Sequence, residues 1–149
     1  RHLLDNMRKG RNREMILIIG GSFQGKEEFA KKLLGQQKGG EENWEQLVCR
    51  GDEPWQKALE KPCLVNFHGF IRQLQETEEA EKETEEFLCQ VLKSEPLLIT
   101  MDEVGCGIVP LKKEERDYRE AVGRAGQKLA AAAREVWRVQ CGIPVRIKE

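Results

Sequence analysis

The chain has 149 residues, of which 39% are hydrophobic and 34% are charged, and its 25 lysines and arginines nearly balance 26 aspartates and glutamates. This length is typical of one globular domain, and a net charge of -1 gives no electrostatic reason to expect nucleic acid or an anionic membrane as a partner. Because no apolar run approaches the roughly 20 residues that span a bilayer, we expect a cytoplasmic protein.

The cysteines are odd in number and scattered along the chain, at Cys49, Cys63, Cys89, Cys106 and Cys141. No two of them form a C-x-x-C pair, so their spacing matches neither a disulfide framework nor a zinc site. We expect most of them to be buried, free thiols in a reducing compartment.

The first 14 residues form a basic segment with little periodicity. Five basic residues lie between Arg1 and Glu14, interrupted by Gly10 and Asn12. This pattern predicts a tail or a short extra helix and does not match a secretion signal. Residues 15–149 are predicted to form a single domain.

A buried strand and a helix are predicted at the start of this domain. Met15–Ile19 is a continuous apolar run that ends in Gly20 and Gly21, which suits a strand buried on both faces of a parallel sheet. A helix follows Lys26, because apolar residues recur there at helical spacing, and Gly35 is predicted to end it.

The middle of the chain is predicted to hold two strands and two helical segments. Gln46–Cys49 indicates a weak strand, a short helix opens at Glu53–Trp55 and runs to Leu59, and 62–67 indicates a second buried strand. A longer helix is predicted over Ile71–Lys93. Its middle, Glu76–Glu86, contains seven glutamates, so we expect a solvated helix or loop there and no site.

The last third of the chain predicts a strand, a long helix and two short strands. Leu97–Met101 is an apolar run that ends in Asp102 and Glu103, and the longest helix begins near Lys113. Its apolar residues recur with a spacing that defines one buried stripe: Tyr118, Val122, Ala125, Leu129, Ala132 and Val136. The two short strands are predicted over Trp137–Gln140 and Ile143–Ile147.

Strands alternate with helices throughout, which predicts an α/β fold: a three-layer sandwich with a mostly parallel central sheet. In such sheets, ligands bind at the carboxyl ends of the strands. A functional site is therefore expected among the residues that follow Gly20, Asn66 and Asp102.

A phosphate-binding motif lies at the first of these places. Gly20, Gly21, Ser22, Phe23, Gln24, Gly25 and Lys26 fit the pattern G-x-x-x-x-G-K between a predicted strand and a predicted helix, which is the context of a P-loop. Its glycines let backbone N–H groups surround a phosphate, the helix N-terminus adds partial positive charge, and the lysine reaches the outer phosphates. The domain at 15–149 is thus predicted to bind a nucleotide. The alternative is a glycine-rich turn with an exposed lysine.

Glu27 occupies the position where a P-loop normally has a serine or threonine, whose hydroxyl binds the Mg²⁺ that accompanies the nucleotide. A carboxylate in the first helical turn suits the helix dipole, but it repels a triphosphate unless a metal lies between them. Three outcomes stay open: Glu27 is a Mg²⁺ ligand, it weakens nucleotide binding, or it points to solvent.

Four stretches form an ordered series along the chain: Ile16–Lys26, Pro54–Trp55, Leu97–Pro110 and Gly123–Lys148. The most specific part is Glu103–Pro110, with the sequence EVGCGIVP. The series resembles the bifunctional adenosylcobinamide kinase / adenosylcobinamide-phosphate guanylyltransferase family of cobalamin biosynthesis. This resemblance implies a P-loop NTPase-like fold, GTP or ATP as phosphoryl donor with Mg²⁺, a corrinoid hydroxyl as acceptor, a later transfer of GMP through a histidine, and a small homo-oligomer.

Three positions depart from the pattern of that family. The family's P-loop ends in G-K-S where this chain has Glu27, and its Mg²⁺-binding aspartate at the end of the second strand corresponds to Asn66. The histidine that carries GMP belongs upstream of an R-P-x-x-W stretch, but no histidine lies between Val48 and Trp55. Glu27 and Asn66 are therefore the candidate metal residues, and the guanylyl step is in doubt. Phosphoryl transfer needs mainly positioning and charge neutralisation.

Lys26, Asp102 and Glu103 are the candidate catalytic residues. Glu103 is expected at a strand tip that faces the P-loop, where it contacts a metal or a substrate hydroxyl, or else acts as a structural cap. Arg124 is a further candidate for nucleotide binding, which either reaches a phosphate or pairs with an acidic neighbour.

Two aromatic side chains near the strand ends leave similar alternatives. His68 lies just past the strand that ends at Asn66, and it either approaches the phosphates or is capping or packed. Trp55 either packs in the core or stacks on a base.

Two functions are consistent with these residues. The first is a divergent cobinamide kinase / guanylyltransferase-like enzyme that binds a purine nucleotide and acts on a corrinoid. The second is a catalytically impaired nucleotide-binding or structural relative. The joint change at Glu27, at Asn66 and at the missing histidine favours impairment, whereas the retained glycines and lysine of the P-loop favour nucleotide binding.

Overall fold

Strands and helices alternate along the parts of the chain that the computed structural model describes, residues 14–38, 43–103 and 112–148. The strands are β1 Ile16–Gly20, β2 Val48–Arg50, β3 Cys63–Val65, β4 Leu98–Asp102, β5 Glu135–Gln140 and β6 Ile143–Lys148. The helices are α1 Lys26–Lys38, α2 Trp44–Leu47, a 3₁₀ helix at Trp55–Glu60, α3 His68–Leu74, α4 Ala80–Ser94 and α5 Lys113–Ala132.

The strands form one six-stranded sheet in the order β2-β3-β4-β1-β5-β6. Every neighbouring pair is parallel except β5 and β6, which are antiparallel. The turn between those two strands consists of Cys141 and Gly142, both with positive φ, at 51° and 76°, as expected for a two-residue hairpin. The predicted α/β fold with a mostly parallel sheet is confirmed.

Helices pack on both faces of the sheet, as the three-layer prediction requires. Side chains alternate across β1: Leu17 belongs to the core under α3, α4 and α5, whereas Ile16 and Ile18 belong to the core under α1 and α2. β1 has a strand along each edge and a hydrophobic core on each face. This position explains why its sequence is continuously apolar.

Two predicted boundaries were wrong near the first helix. Helix α1 continues through Gly35 to Lys38; because Gly35 is not among the glycines with positive φ, it does not form the left-handed cap that would end a helix. A short helix at Trp44–Leu47 precedes β2, so the strand begins at Val48 and not at Gln46. Trp44 is 5% exposed, and its burial holds this turn of helix against the sheet.

The single helix predicted over Ile71–Lys93 is two helices, α3 and α4, separated by residues 75–79. The Thr77 hydroxyl donates a hydrogen bond to the carbonyl of Leu74 at 2.7 Å, and this side-chain bond satisfies a carbonyl that the end of α3 leaves without a helical partner. The glutamate-rich middle is thus partly a turn and partly the solvated start of α4.

The cysteine prediction holds for some thiols only. Cys49 and Cys63 are buried, whereas Cys89 and Cys141 are exposed. Cys89 lies on α4, and Cys141 lies in the β5–β6 turn, where little can cover it. Cys106 lies outside the described residues.

The strand order brings the three expected ligand-binding ends together. Strands β3, β4 and β1 are neighbours and parallel, so the residues after Val65, Asp102 and Gly20 share one edge of the sheet. The predicted basic segment up to residue 13, and residues 104–110 of the family motif, lie outside the described residues. Within the described ranges, no helix combines the length and the apolar composition that a bilayer crossing requires.

Candidate functional site

The loop from Gly20 to Gly25 connects β1 to α1 and has a backbone that requires glycine at two positions. A Cβ at Gly20, where φ is 155°, would lie 2.4 Å from the carbonyl oxygen of Val139. Gly25 has φ 96° and lies against Gly142 of the hairpin turn. The glycines at these two positions therefore allow a conformation that other residues rarely adopt.

The β5–β6 turn holds this loop from the outside. The backbone N–H of Gly142 donates to the carbonyl of Gln24 at 2.9 Å, and the N–H of Cys141 donates to Gln24 Oε1 at 2.5 Å. Gln24 is thus fixed by both its main chain and its side chain. The loop is held in position by a hairpin more than a hundred residues later in the sequence.

Lys26 points back into the loop and is only 6% exposed. Its Nζ donates to the carbonyls of Gly21 at 2.7 Å and Gly20 at 3.3 Å, and it forms an ion pair with Asp102 Oδ1 at 2.7 Å. The alternative of an exposed lysine on a glycine-rich turn is therefore wrong. A buried lysine needs such partners, because an unpaired charge is costly to bury.

Asp102 connects three parts of the site. Its second carboxylate oxygen accepts a hydrogen bond from Ser22 Oγ at 2.6 Å and lies 3.4 Å from His68 Nε2. Burial alone would raise the pKa of Asp102, but the hydrogen bonds from Lys26 and Ser22 outweigh it and hold the pKa below its ordinary range. The carboxylate is therefore ionised at neutral pH.

His68 is oriented by the backbone of the neighbouring strand. Its Nδ1 accepts a hydrogen bond from the N–H of Asp102 at 3.0 Å, so in the neutral ring the proton lies on Nε2. Burial lowers the pKa of His68, with Asp102 acting in the opposite sense and with Lys26 and Arg72 adding to the effect. In this arrangement neither ring nitrogen offers a free lone pair to a phosphorus atom, which agrees with the capping alternative.

Glu27 does not point to solvent. Its Oε2 accepts hydrogen bonds from Trp44 Nε1 at 2.8 Å and from Arg50 Nη2 at 2.5 Å. Arg50 is also bound by both carboxylate oxygens of Glu45, at 2.8 and 3.0 Å. The carboxylate that follows Lys26 is therefore neutralised by an arginine from the end of β2.

Asn66 lies at the end of β3 with an exposed side chain and φ 60°, a conformation that asparagine tolerates better than most residues. Its backbone N–H donates to Thr100 Oγ1 at 2.9 Å. Asn66 contributes a neutral amide, where a metal site at this strand end would use a carboxylate.

These contacts decide how well the loop suits Mg²⁺. A P-loop Mg²⁺ is held by a hydroxyl after the lysine and by a carboxylate at a strand end, together with the phosphates. Here Glu27 is paired with Arg50 and Asp102 is paired with Lys26. Within residues 14–38, 43–103 and 112–148, no group of three or more His, Cys, Asp or Glu side chains is arranged to hold a metal ion. The expected donor set of Glu27 and Asn66 therefore does not fit a P-loop Mg²⁺.

Two adjoining cavities open at this edge of the sheet. The first, of about 460 Å³, is lined by the loop from Ser22 to Glu27 together with Asn66, His68 and Asp102; we call it the phosphate cavity, because the loop has the G-x-x-x-x-G-K pattern. The side cavity, of about 770 Å³, is lined by Arg50, Trp55, Arg72 and Gln73 among others, and it shares Asn66 and His68 with the first. A ligand in the side cavity would therefore lie next to a phosphate held by the loop.

Most side-cavity residues were missed by the sequence analysis. Arg72 stacks on the ring of Tyr118, 3.5 Å from its centroid, and forms an ion pair with Glu115 at 2.7 Å. Gln73 Nε2 donates to the carbonyls of Gly51 and Glu53 at 2.8 and 2.7 Å. These residues lie on α3 and on the loop after β2, and no local motif marks them.

Two glycines shape the side cavity. A Cβ at Gly51 would lie 2.0 Å from the carbonyl oxygen of Asn66, and a Cβ at Gly69 would lie 2.6 Å from the carbonyl oxygen of Gly51. The backbone after β2 thus contacts the first turn of α3 directly. Isolated glycines at positions 51 and 69 were the one signal of this approach in the sequence.

Glu103 and Arg124 lie outside the lining of both cavities. The carboxylate of Glu103 is paired with Arg138 on β5 at 2.8 Å, and its backbone N–H donates to the carbonyl of Gly20 at 2.8 Å, which agrees with the structural-cap alternative. Arg124 lies on α5 next to Glu85 and Glu120, at 4.0 and 3.9 Å. The acidic-neighbour alternative therefore describes Arg124.

Two aromatic residues complete the site. Phe23 is fully exposed at the apex of the phosphate loop with φ 60°, and it lines the phosphate cavity. Trp55 packs edge-to-face on Phe87, with the ring centroids 5.4 Å apart, in agreement with the packing alternative, while also lining the side cavity.

Cys49 is the nucleophilic side chain between Val48 and Trp55, but its environment suppresses its reactivity. It is 1% exposed, and burial, followed by the charge of Glu53, raises the pKa of its thiol to about 11. The thiolate is the reactive form of cysteine, so Cys49 does not replace the missing histidine.

Parts of the chain are similar in sequence to known proteins. Residues 61–147 match the family model described as cobinamide kinase / cobinamide phosphate guanyltransferase. The bifunctional adenosylcobalamin biosynthesis proteins CobU of Escherichia coli strain K12 and of Salmonella typhimurium strain LT2 are each 50% identical over 60 residues, which is 40% of this chain and 33% of the relative. The matched part therefore spans about a third of the length of these relatives, and the family match begins after the phosphate loop.

Proposed function

Because this chain belongs to the cobinamide kinase / cobinamide phosphate guanyltransferase family, we propose that it binds GTP or ATP at Gly20–Lys26 and transfers the terminal phosphoryl group to a corrinoid hydroxyl in cobalamin biosynthesis. One observation carries the proposal: the ammonium of Lys26 lies buried inside a glycine loop that opens into a second cavity.

The loop would bind the phosphates through its backbone. The N–H groups between Gly20 and Lys26 and the N-terminus of α1 supply partial positive charge, and Lys26 supplies a full charge. The ammonium of Lys26 is paired with Asp102, so an incoming phosphate competes with that carboxylate and displaces it from the ammonium. The displaced carboxylate is then available to a substrate hydroxyl.

The side cavity is the proposed place of the acceptor. It shares Asn66 and His68 with the phosphate cavity, so an acceptor hydroxyl there lies beside the terminal phosphate. Asp102 accepts the proton of that hydroxyl as the new P–O bond forms, while the P–O bond to the leaving diphosphate breaks. Arg72 and Trp55 provide charge and an apolar surface to the acceptor.

The guanylyl step is not part of the proposal. No histidine lies between Val48 and Trp55, Cys49 is buried with a raised pKa, and the ring nitrogens of His68 face Asp102. No described side chain in either cavity is therefore arranged to carry GMP.

A second candidate function is nucleotide binding without transfer. It is favoured by the ion pairs that occupy both carboxylates near the lysine, Glu27 and Asp102. Transfer and binding alone differ in one outcome, the appearance of a phosphorylated corrinoid.

Calorimetry and a product assay test the proposal in sequence. GTP and ATP are titrated into the full chain, with CTP as the control for base preference and Lys26→Met as the control for the loop. The nucleotide that binds more tightly is then incubated with adenosylcobinamide, and the product is identified by chromatography and mass spectrometry. Binding with product supports the enzyme, binding without product supports the second candidate, and no binding at millimolar concentration overturns both. A stable GMP adduct in the intact mass would show that guanylyl transfer survives.

A further inference from the structure

Arg50 occupies an unusual position beside the phosphate loop. It ends strand β2, at the edge of the sheet, and its guanidinium contacts the residue that directly follows Lys26. We propose that Arg50 is a phosphate-binding residue that supplies the second positive charge next to Lys26, and that a polyphosphate group binds in this loop without a magnesium ion. The inference rests on the proposed function only in assuming that a phosphate-bearing ligand enters the loop.

The location of the Arg50 guanidinium supports this role. Arg50 lines the side cavity, and its partner Glu27 lines the phosphate cavity. Arg50 Nη2 lies 2.5 Å from Glu27 Oε2, and the two side chains are 29% and 30% exposed. The arginine therefore lies at the boundary of the two cavities, partly protected from water and in contact with a residue that lines the phosphate cavity.

Arg50 has a second ion-pair partner, Glu45, besides Glu27. Glu45 binds the guanidinium from the other side through both carboxylate oxygens, while Trp44 Nε1 donates to Glu27. When a phosphate replaces Glu27 as a partner of Arg50, the arginine keeps Glu45 and Glu27 keeps Trp44. The exchange leaves no side chain without a hydrogen bond, but it separates the charges of Arg50 and Glu27, so Glu27 opposes phosphate binding.

The carboxylates that could coordinate a metal ion near the loop are already engaged in ion pairs. Glu27 and Asp102 are each paired with a basic side chain, and Asn66 is neutral. Arg50 places one positive charge beside Lys26, where an ordinary P-loop has Mg²⁺ in addition to its lysine. Arginine suits this role, because its planar guanidinium binds phosphate oxygens in a bidentate manner.

This inference is tested by calorimetry with two ligands, GTP and inorganic tripolyphosphate. Each ligand is titrated once in excess EDTA and once in excess Mg²⁺. Wild-type affinity is expected to change less than about threefold between the two conditions. Arg50→Gln is expected to weaken binding at least about tenfold in both, since it removes a charge-assisted bond to phosphate. Glu27→Gln, which keeps the hydrogen bond from Trp44 but removes the competing charge, is expected to tighten binding about threefold.

A matched control is Arg134→Gln. Arg134 is also bound by two glutamates, Glu14 and Glu135, at 3.4 and 2.9 Å, but it lies at the amino end of β5, away from both cavities. Its substitution is expected to leave the affinity unchanged. Thermal unfolding of every variant separates a loss of binding from a loss of folding, and Arg50→Lys, which keeps the charge, is expected to retain part of the affinity.

The two ligands separate this inference from the proposed function. Tripolyphosphate binding in EDTA without GTP binding supports the inference and overturns the nucleotide proposal. GTP binding that needs Mg²⁺, or that is unaffected by Arg50→Gln, overturns the inference and leaves the proposed function intact. Binding of neither ligand overturns both.

Discussion

Lys26 and Asp102 form an ion pair at 2.7 Å between the first residue of α1 and the last residue of β4, and the two side chains are only 6% and 16% exposed. Lys26 belongs to the phosphate loop after β1, and Asp102 is the last residue of β4. The charge that a phosphate would need is therefore already balanced by the protein. Any anion that enters the loop competes with this carboxylate.

Asp102→Asn removes that competition while it keeps the size of the side chain. We expect nucleotide affinity to rise about fivefold, because the ammonium of Lys26 is released to the phosphate. Phosphoryl transfer is expected to fall about a hundredfold or more, because the acceptor hydroxyl loses its proton acceptor. Calorimetry and the product assay measure the two effects separately.

Glu103→Gln is the matched control for that substitution. It removes the next carboxylate in the chain, which is paired with Arg138 outside both cavities. Both affinity and transfer are expected to stay within about twofold of the wild type, and stability is expected to fall by no more than about 1 kcal/mol, the range for partly exposed ion pairs. Equal effects of the two substitutions would contradict the assignment of Asp102.

His68 makes the stability of the folded chain depend on pH. Burial lowers the pKa of His68 in the folded chain below the ordinary value of 6.5, which applies to the unfolded chain. At a pH between the folded-state and the unfolded-state pKa, the unfolded chain therefore binds more protons at this residue than the folded chain. Stability therefore falls as the pH drops from about 6.5 toward the folded-state pKa. Thermal unfolding followed from pH 8 to pH 5 should show a smaller loss in His68→Gln than in the wild type, and identical slopes would contradict the assignment.

Gly51 and Gly69 set the distance between the loop after β2 and helix α3. Alanine at Gly51 would place its Cβ 2.0 Å from the carbonyl oxygen of Asn66, so we expect a loss of about 1–3 kcal/mol, as for other overpacked sites. The control is Gly123→Ala on the exposed side of α5, where a Cβ meets nothing within 4 Å. That change is expected to stabilise by about 0.5–1 kcal/mol, because alanine favours a helix. Denaturant unfolding distinguishes the opposite signs.

The cysteines differ in their expected reactivity. Cys89 and Cys141 are exposed, whereas Cys49 and Cys63 are buried, and the pKa of the Cys49 thiol is raised to about 11. Iodoacetamide at pH 8 should therefore alkylate Cys89 and Cys141 well before Cys49, as peptide mass spectrometry can measure. Rapid labelling of Cys49 in the folded chain would mean that a nucleophile is available next to the side cavity after all.

The strands and the long helix were predictable because their signals are local. The apolar run at 16–19, the spacing of apolar residues from Tyr118 to Leu129 along α5 and the glycines of the phosphate loop each depend on neighbours in the sequence. The prediction that Val136 belongs to this helix was wrong, because α5 ends at Ala132 and Val136 pairs with Leu17 as part of β5. The helix of four residues at Trp44 was missed, because it depends on the burial of Trp44 and on its hydrogen bond to Glu27, outside the segment itself. The break between α3 and α4 was missed, because it depends on the hydrogen bond from the Thr77 hydroxyl to Leu74, which the spacing of apolar residues does not reveal. Propensity alone cannot reveal such contacts.

The sequence alone was enough to predict the fold class and to find the phosphate motif with its departures at Glu27 and Asn66, because each is recognised from a local pattern of residues. The sequence does not reveal the ion-pair partners of those residues, because charged side chains far apart in the chain come into contact only in the folded structure. The pairs Lys26–Asp102 and Glu27–Arg50 join positions 76 and 23 residues apart. Tertiary structure alone decided that Glu27 is neutralised by an arginine, because electrostatic attraction depends on distance in space and not on separation along the chain.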